Sequence, residues 1–322
     1  MAAIQTNGLT KRYGESVLAV DDLDLTVENG EIFGFLGPNG AGKSTTINML
    51  LDFVRPTEGT ATVLGYDAQD ETGEIRERIG VLPEGATLYE RLTAREHIEW
   101  VADTKDAAID VDAILDRVGI LEDADRAAGG FSKGMAQRLG LGMALVGDPD
   151  LLLLDEPSSG LDPTGIQDMR ELLRDEAESG TTVFFSSHIL SEVEAVCDRV
   201  GIMNEGHLVA LDSIENLQDE ATGAVTIDVE LATPVDPAVL DVGSISGVQQ
   251  TDIDGDTVTT VCDDATVKVD VVRHLDDRAT VTDILSTDTS LEELFNQYTG
   301  STDGDGAVES PTDPEREQEV TV

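Results

Sequence analysis

The segment EIFGFLGPNGAGKSTTINMLL, residues 31–51, leaves this chain few folds to choose from. It reads as a strand, a glycine-rich turn and a helix in immediate succession. Its centre, Gly37-Pro38-Asn39-Gly40-Ala41-Gly42-Lys43-Ser44-Thr45, has the spacing of a phosphate-binding P-loop. Gly37, Gly40 and Gly42 free the backbone to turn N–H groups inward around phosphate oxygens, and the helix start adds positive potential. Lys43 is placed to reach the β- and γ-phosphates of a nucleotide, and the Ser44 hydroxyl to ligate Mg²⁺. A chance glycine-rich turn would need neither the strand before it nor the helix after it.

The rest of the chain supplies a matching scaffold. TATVLG and IGVLPE are short strand-like pieces, and from about Leu88 the pattern turns helical. TAREHIEW opens with Thr93 and Glu96 at capping-box spacing. DAILDRVGI and the run after FSKGM, residues 131–135, are further helices. LLLLDE, residues 151–156, is an unbroken apolar strand of the kind buried in a parallel sheet. A helix near GIQDMRELLRDEAES, a strand TTVFFS and a helix near SEVEAVCDRV follow. Strands alternating with helices predict an α/β layer fold.

After about Ile214 the texture changes. VTIDVEL and ATVKVDV both alternate apolar and polar residues, which predicts half-buried strands in a small α+β domain closed by a helix over SLEELFNQYTG. The expected layout is an α/β domain at 1–215 with a helical part at about 88–148, the α+β domain at 216–300, and an acidic tail at 301–322 expected to be disordered.

Two carboxylates end the LLLLDE strand, and ligands sit at the carboxyl ends of strands in open parallel sheets. Asp155 there can hold Mg²⁺ through its water shell, and Glu156 is placed to polarise an attacking water. His188 follows the buried strand TTVFFS at the same sheet edge, within reach of a γ-phosphate or that water. His97, His207 and His274 have no such placement and read as structural. Cys197 and Cys262 lack metal spacing and read as small core residues of a reducing compartment.

Sixty-six acidic residues against 20 basic ones, with acids in every segment, give a formal net charge of −46. Such a surface suits molar salt, as in a halophile, where screening removes self-repulsion, and it argues against binding a nucleic-acid backbone. No apolar stretch is long enough to span a bilayer, so a membrane role would require a partner.

FSKGMAQRLGLGMALVGDPDLLLLDEPSSGLDP resembles the signature-to-D-loop block of ATP-binding cassette (ABC) ATPases, and the likeness covers residues 1 to about 215. It implies the P-loop NTPase fold of that family, hydrolysis of ATP with Mg²⁺, and a head-to-tail homodimer with two ATPs between the copies. Ser132 and Gly134 of the signature would then grip the γ-phosphate held by the other copy, and Lys133 departs from the usual glycine. Ser159-Gly160-Leu161-Asp162 resembles the D-loop at that interface. Tyr13 matches the position that stacks on adenine, although a tyrosine ahead of Gly14 is also compatible with a plain surface turn. VLPEG resembles the Q-loop, with Glu84 in place of glutamine and able to take a Mg²⁺-bound water.

The signature, the acidic Q-loop and the SLEELF segment together resemble the drug-resistance exporter branch, of ABC-2 type. There a soluble ATPase pairs with a separate integral membrane permease, which would hold this chain at the cytoplasmic face of the cell membrane. Leu88, Tyr89 and Leu92 are then the apolar candidates for receiving the permease. The alternatives are a soluble non-transport ABC ATPase and an ATP-gated regulatory module.

Overall fold

The computed structural model describes residues 2–14, 16–85, 87–221, 225–235, 237–263 and 265–288, with Phe295, Tyr298 and Thr299. Apart from those three, the expected closing helix and the acidic tail lie outside the described residues.

The chain begins with two long strands that patterning alone did not reveal, β1 (Ala2–Tyr13) and β2 (Val17–Glu28). Their signal is present in β2, where buried Leu23, Leu25 and Val27 alternate with Asp24, Thr26 and Glu28. The glycine loop follows between β3 (Ile32–Leu36) and helix α1 (Lys43–Leu50). Next come β4 (Glu58–Val63), β5 (Tyr66–Asp67), α2 (Thr72–Arg78) and β6 (Ile79–Leu82). Strands β1, β2, β4 and β5 form an antiparallel sheet in the order β2-β1-β4-β5.

Three helices make the expected helical part. They are α3 (Ala94–Lys105), α4 (Val111–Arg117) and α5 (Lys133–Ala144). Thr93 and Glu96 form the capping box that their spacing predicts. Lys105 ties the end of α3 to its surroundings, its Nζ donating to Ile79 O at 2.8 Å and Val146 O at 3.0 Å. Burial holds that ammonium below the usual lysine range.

The second half of the α/β layer contains β7 (Leu151–Asp155), α6 (Pro163–Glu178), β8 (Thr182–Ser187), α7 (Leu190–Glu194), β9 (Arg199–Asn204) and β10 (His207–Ser213). Helix α7 is shorter than SEVEAVCDRV suggested: it ends at Glu194, and Arg199 and Val200 already belong to β9. The main sheet runs β10-β9-β3-β8-β7-β6, parallel except for β10. Its two faces explain the unbroken LLLL. Leu151 and Leu153 pack with Phe33, Phe35, Phe184 and α1 on one side, while Leu152 and Leu154 pack with Leu36, Phe185 and the helical part on the other. A strand covered on both faces has no solvent side to make polar.

Helix α8 (Ile214–Ala221) crosses the expected boundary at 215 and buries Ile214 and Leu217 against the α/β core. Beyond it lie β11 (Val225–Leu231), α9 (Pro237–Leu240), β12 (Val248–Asp254), β13 (Thr257–Cys262), α10 (Ala265–Asp276) and β14 (Val281–Asp288). The strands pair in the order β12-β13-β11-β14. Here the sequence expectation for ATVKVDV fails, since that segment is helix α10 and not a strand. Val267 and Val271 fit a period of two, but together with Leu275 they also stand four apart, and these three are the buried ones while Val269 is 50% exposed.

Candidate functional site

At the carboxyl edge of the parallel strands, a cleft is lined by Ala19, Asn39, Gly40, Gly42, Lys43, Ser44, Thr45, Glu84 and Glu156. Strand β3 delivers the loop, and Gly37 N–H anchors it by donating to Ser187 O of β8 at 3.2 Å. Gly37 has no room for a side chain, because a Cβ would stand 2.4 Å from Met203 O. Gly42 caps α1 with φ of 109° and its missing Cβ would stand 2.4 Å from Ala19 O. Both constraints need glycine. Pro38 and Ala41 are not among the residues lining the cleft, and Ala41 N–H donates to Pro38 O at 3.1 Å. Ala19, on β2, is a wall residue that no sequence motif marks.

Lys43 is 6% exposed and turns back over its own loop. Its Nζ donates to Gly37 O at 2.6 Å and Pro38 O at 3.3 Å, and lies 3.5 Å from Glu156 Oε1. The other oxygen of Glu156 pairs with His188 Nδ1 at 2.8 Å. The two residues expected to do the chemistry are therefore in contact, with the P-loop lysine on the opposite side of the carboxylate.

Glu156 is held in an unusual backbone conformation, with φ of 51°. A non-glycine residue there costs about 1–3 kcal/mol and persists only when its surroundings fix it. Its N–H donates to Ser186 Oγ at 3.0 Å, and its carbonyl accepts from Gln137 Nε2 at 3.2 Å and from Ser159 N–H at 3.1 Å. Asp155, 4% exposed, accepts from the Ser186 hydroxyl. Glu192, which no motif singled out, is 3% exposed and accepts from both Ser158 Oγ at 2.7 Å and Ser187 Oγ at 2.8 Å. It joins the segment after Glu156 to the segment before His188.

The remaining expected residues stand outside the cleft walls. Tyr13 ends β1, 43% exposed, with Lys11 Nζ 5.1 Å from its ring centre. Ser132 caps α5 and accepts from Met135 N–H at 3.2 Å. Gly134 lies against the D-loop segment, where a Cβ would stand 3.0 Å from Gly160 O. Asp162 caps α6, accepting from Gly165 N–H at 2.9 Å. His97 is structural, fully buried between Thr93 O and Tyr89 N–H. His274 bonds Leu240 O, and His207 lies 3.8 Å from Asp21.

On the helical part, Leu88, Tyr89, Leu92 and Trp100 line an open groove. Tyr89 is 58% and Trp100 47% exposed, and their rings meet edge to face at 5.4 Å. Among the described residues no helix is long and apolar enough to cross a membrane.

Ser44, Glu84 and Asp155 are hard oxygen donors of the kind Mg²⁺ takes, and two of them line the cleft. Among the described residues no group of three or more His, Cys, Asp or Glu residues forms a metal cage.

The family model described as ABC transporter matches residues 20–159. The chain is 46% identical over 211 residues to the bacitracin transport ATP-binding protein BcrA of Bacillus licheniformis, covering 64% of this chain and 68% of that one. It is 40% identical over 217 residues to a fluoroquinolones export ATP-binding protein of Mycobacterium tuberculosis, covering 67% of this chain and 72% of that one. Among solved structures, a bacterial ABC transporter cassette in dimeric form superposes with a TM-score of 0.60 at 26% identity, covering 66% of this chain and 98% of that one.

Proposed function

This chain belongs to the ABC transporter family, as an ATP-binding subunit that hydrolyses ATP, and from that premise we propose how its residues act and what it serves. The observation that carries the reading is the Lys43–Glu156–His188 contact beside the P-loop. The backbone from Gly37 to Thr45 and the Lys43 ammonium bind the phosphates, and Tyr13 stacks on the adenine. Glu156 takes a proton from water as its oxygen attacks the γ-phosphorus, and the bond from that phosphorus to the β–γ bridging oxygen breaks, leaving ADP and phosphate. His188 holds Glu156 in place and reaches toward the γ-phosphate. Ser44, Glu84 and Asp155 would hold Mg²⁺, which would offset phosphate charge.

Two copies sandwich two ATPs. Ser132 and Gly134 of one copy meet the γ-phosphate held by Lys43 of the other, and Asp162 belongs to the loop crossing between them. The likeness to a cassette solved as a dimer supports this arrangement. The partner is an integral membrane permease of ABC-2 type, for export, with this chain at the cytoplasmic face of the membrane. The name of the fluoroquinolone relative, an export ATP-binding protein, supports export, and that of the bacitracin relative supports transport. The exposed Tyr89–Trp100 groove, with Leu88 and Leu92, suits a short apolar helix of the permease. The ATPase domain runs through helix α8, to Ala221, the C-terminal α+β domain follows from β11, and the acidic surface is an adaptation to high salt.

The test is co-expression with a candidate membrane permease, this chain carrying a photo-cross-linker at Tyr89. Cross-links from Tyr89 to that protein, together with stimulated hydrolysis, are expected. Cross-links confined to probes in the C-terminal sheet would contradict the placement.

A further inference from the structure

Helix α5 rests on the catalytic segment of its own chain. Gln137 Nε2 donates to two successive carbonyls there, Glu156 O at 3.2 Å and Pro157 O at 2.9 Å. One turn earlier, Lys133 Nζ donates to Ser159 Oγ at 3.0 Å, and its methylenes cover Gly160 so closely that a Cβ there would stand 2.6 Å from Cδ. Positions 133, 134 and 137 share one face of the helix, and residues 156–160 lie along it. Of these side chains, Gln137 alone bonds Glu156 itself.

That bond falls on a sensitive atom. Glu156 has φ of 51°, with its N–H fixed by Ser186. Fixing the carbonyl as well sets both φ and ψ, and with them the direction of the Cα–Cβ bond. The carboxylate then points between Lys43 and His188, as observed. The nearest rival for the carbonyl, Ser159 N–H at 3.1 Å, belongs to the same turn and moves with it. Gln137 is therefore the outside tether on this peptide, and any shift of α5 reaches the base through it.

We propose that Gln137 is a positioning residue for hydrolysis, its paired bonds to Glu156 O and Pro157 O keeping the Glu156 carboxylate aimed into the cleft. This rests on the reading of Glu156 as the base. The helix that carries Gln137 also begins with Ser132, so one rigid element joins the surface offered to a second copy with the base of its own site.

The experiment uses Gln137→Met, which keeps the stem and removes the donor, and Gln137→Lys, which restores a donor. Hydrolysis at saturating ATP, ATP affinity and thermal melting are measured on the full chain in molar KCl. A misplacement of a reacting group by about 1 Å costs on the order of 10²-fold in rate. Gln137→Met is expected to lose kcat on that scale with KM, ATP affinity and melting unchanged, and Gln137→Lys to recover most of it. Wild-type kcat in Gln137→Met, a loss of affinity that parallels the loss of rate, or a Lys variant as slow as the Met variant would each overturn the proposal. Wild-type hydrolysis by Glu156→Gln would overturn the underlying assignment of the base, and it is read from a separate variant.

Discussion

Replacing Lys43 by methionine removes an ammonium that is engaged three ways. Its loss leaves Gly37 O and Pro38 O without their side-chain donor and leaves Glu156 without its cation. Lys43 and Glu156 are 6% and 8% exposed. Two unit charges 3.5 Å apart attract by about 5 kcal/mol at an effective dielectric constant of ~20. Desolvation offsets much of that, and His188 remains as a second partner for Glu156. Lys43→Met alone should cost about 3–5 kcal/mol of stability, the usual penalty for stranding a buried charge. Glu156→Gln alone should cost less, since Lys43 keeps its two carbonyls. In the double variant no charge is stranded, so the combined cost should fall short of the sum by ~1–3 kcal/mol. Urea unfolding in molar KCl without nucleotide measures all four corners of this cycle. Additivity within about 0.5 kcal/mol would refute the contact as an energetic unit.

Raising KCl from 0.1 M to about 2 M should increase the melting temperature by on the order of 10 °C, because the screening length shrinks from about 10 Å to a few ångströms around a chain of net charge −46. Equal melting temperatures would remove the high-salt reading of the surface. Burial, with Asp198 adding, pushes the Cys197 thiol well above its ordinary value. The residue as a whole is half-buried, but its sulfur faces inward, where a Cβ at Gly34 would stand 2.8 Å from it. Iodoacetamide at pH 8 should modify Cys197 at least ~10-fold more slowly in the folded chain than in urea, since the thiolate is the nucleophile. Equal rates would contradict the inward sulfur. In sign, the folded thiol keeps its proton to higher pH than the unfolded one. Its contribution to stability is therefore full below the ordinary thiol value and lost as pH rises through the raised one.

Some elements were legible because one local constraint dictated them. The P-loop needs glycine where φ is positive or a Cβ would strike Ala19 O or Met203 O, and those glycines are visible as a motif. The four leucines of β7 are visible because both faces of the strand are covered. Thr93 and Glu96 announce α3 because the capping box is local. The misread segment, ATVKVDV, carries valines that satisfy two periods at once, and only tertiary contact chose the helix. The side-chain network of the site was not legible. Gln137 and Glu156 stand 19 residues apart, and a glutamine on a helix face has no signature that announces a bond to a distant carbonyl. Glu192 reads as an ordinary polar helix residue until Ser158 and Ser187 are seen to converge on it.

In the proposed arrangement α5 begins with a phosphate site serving a second copy while Glu156 acts as base in its own cleft. Glu156→Gln keeps the size of the side chain and removes the proposed base, a group typically worth ~10²–10⁴-fold in rate. It should bind ATP, hydrolyse it very slowly, and so accumulate as a sandwich dimer. Gly134 lies at the start of α5, where a Cβ would already stand 3.0 Å from Gly160 O. Gly134→Asp would add a carboxylate that repels the γ-phosphate and blocks close approach of the backbone. The measurement is the mass in solution, by light scattering in molar KCl, of Glu156→Gln and of Glu156→Gln/Gly134→Asp, each with and without ATP. Glu156→Gln should be a dimer with ATP and a monomer without it, and the double variant a monomer that still binds ATP. A double variant that dimerises with ATP as readily as Glu156→Gln would contradict it.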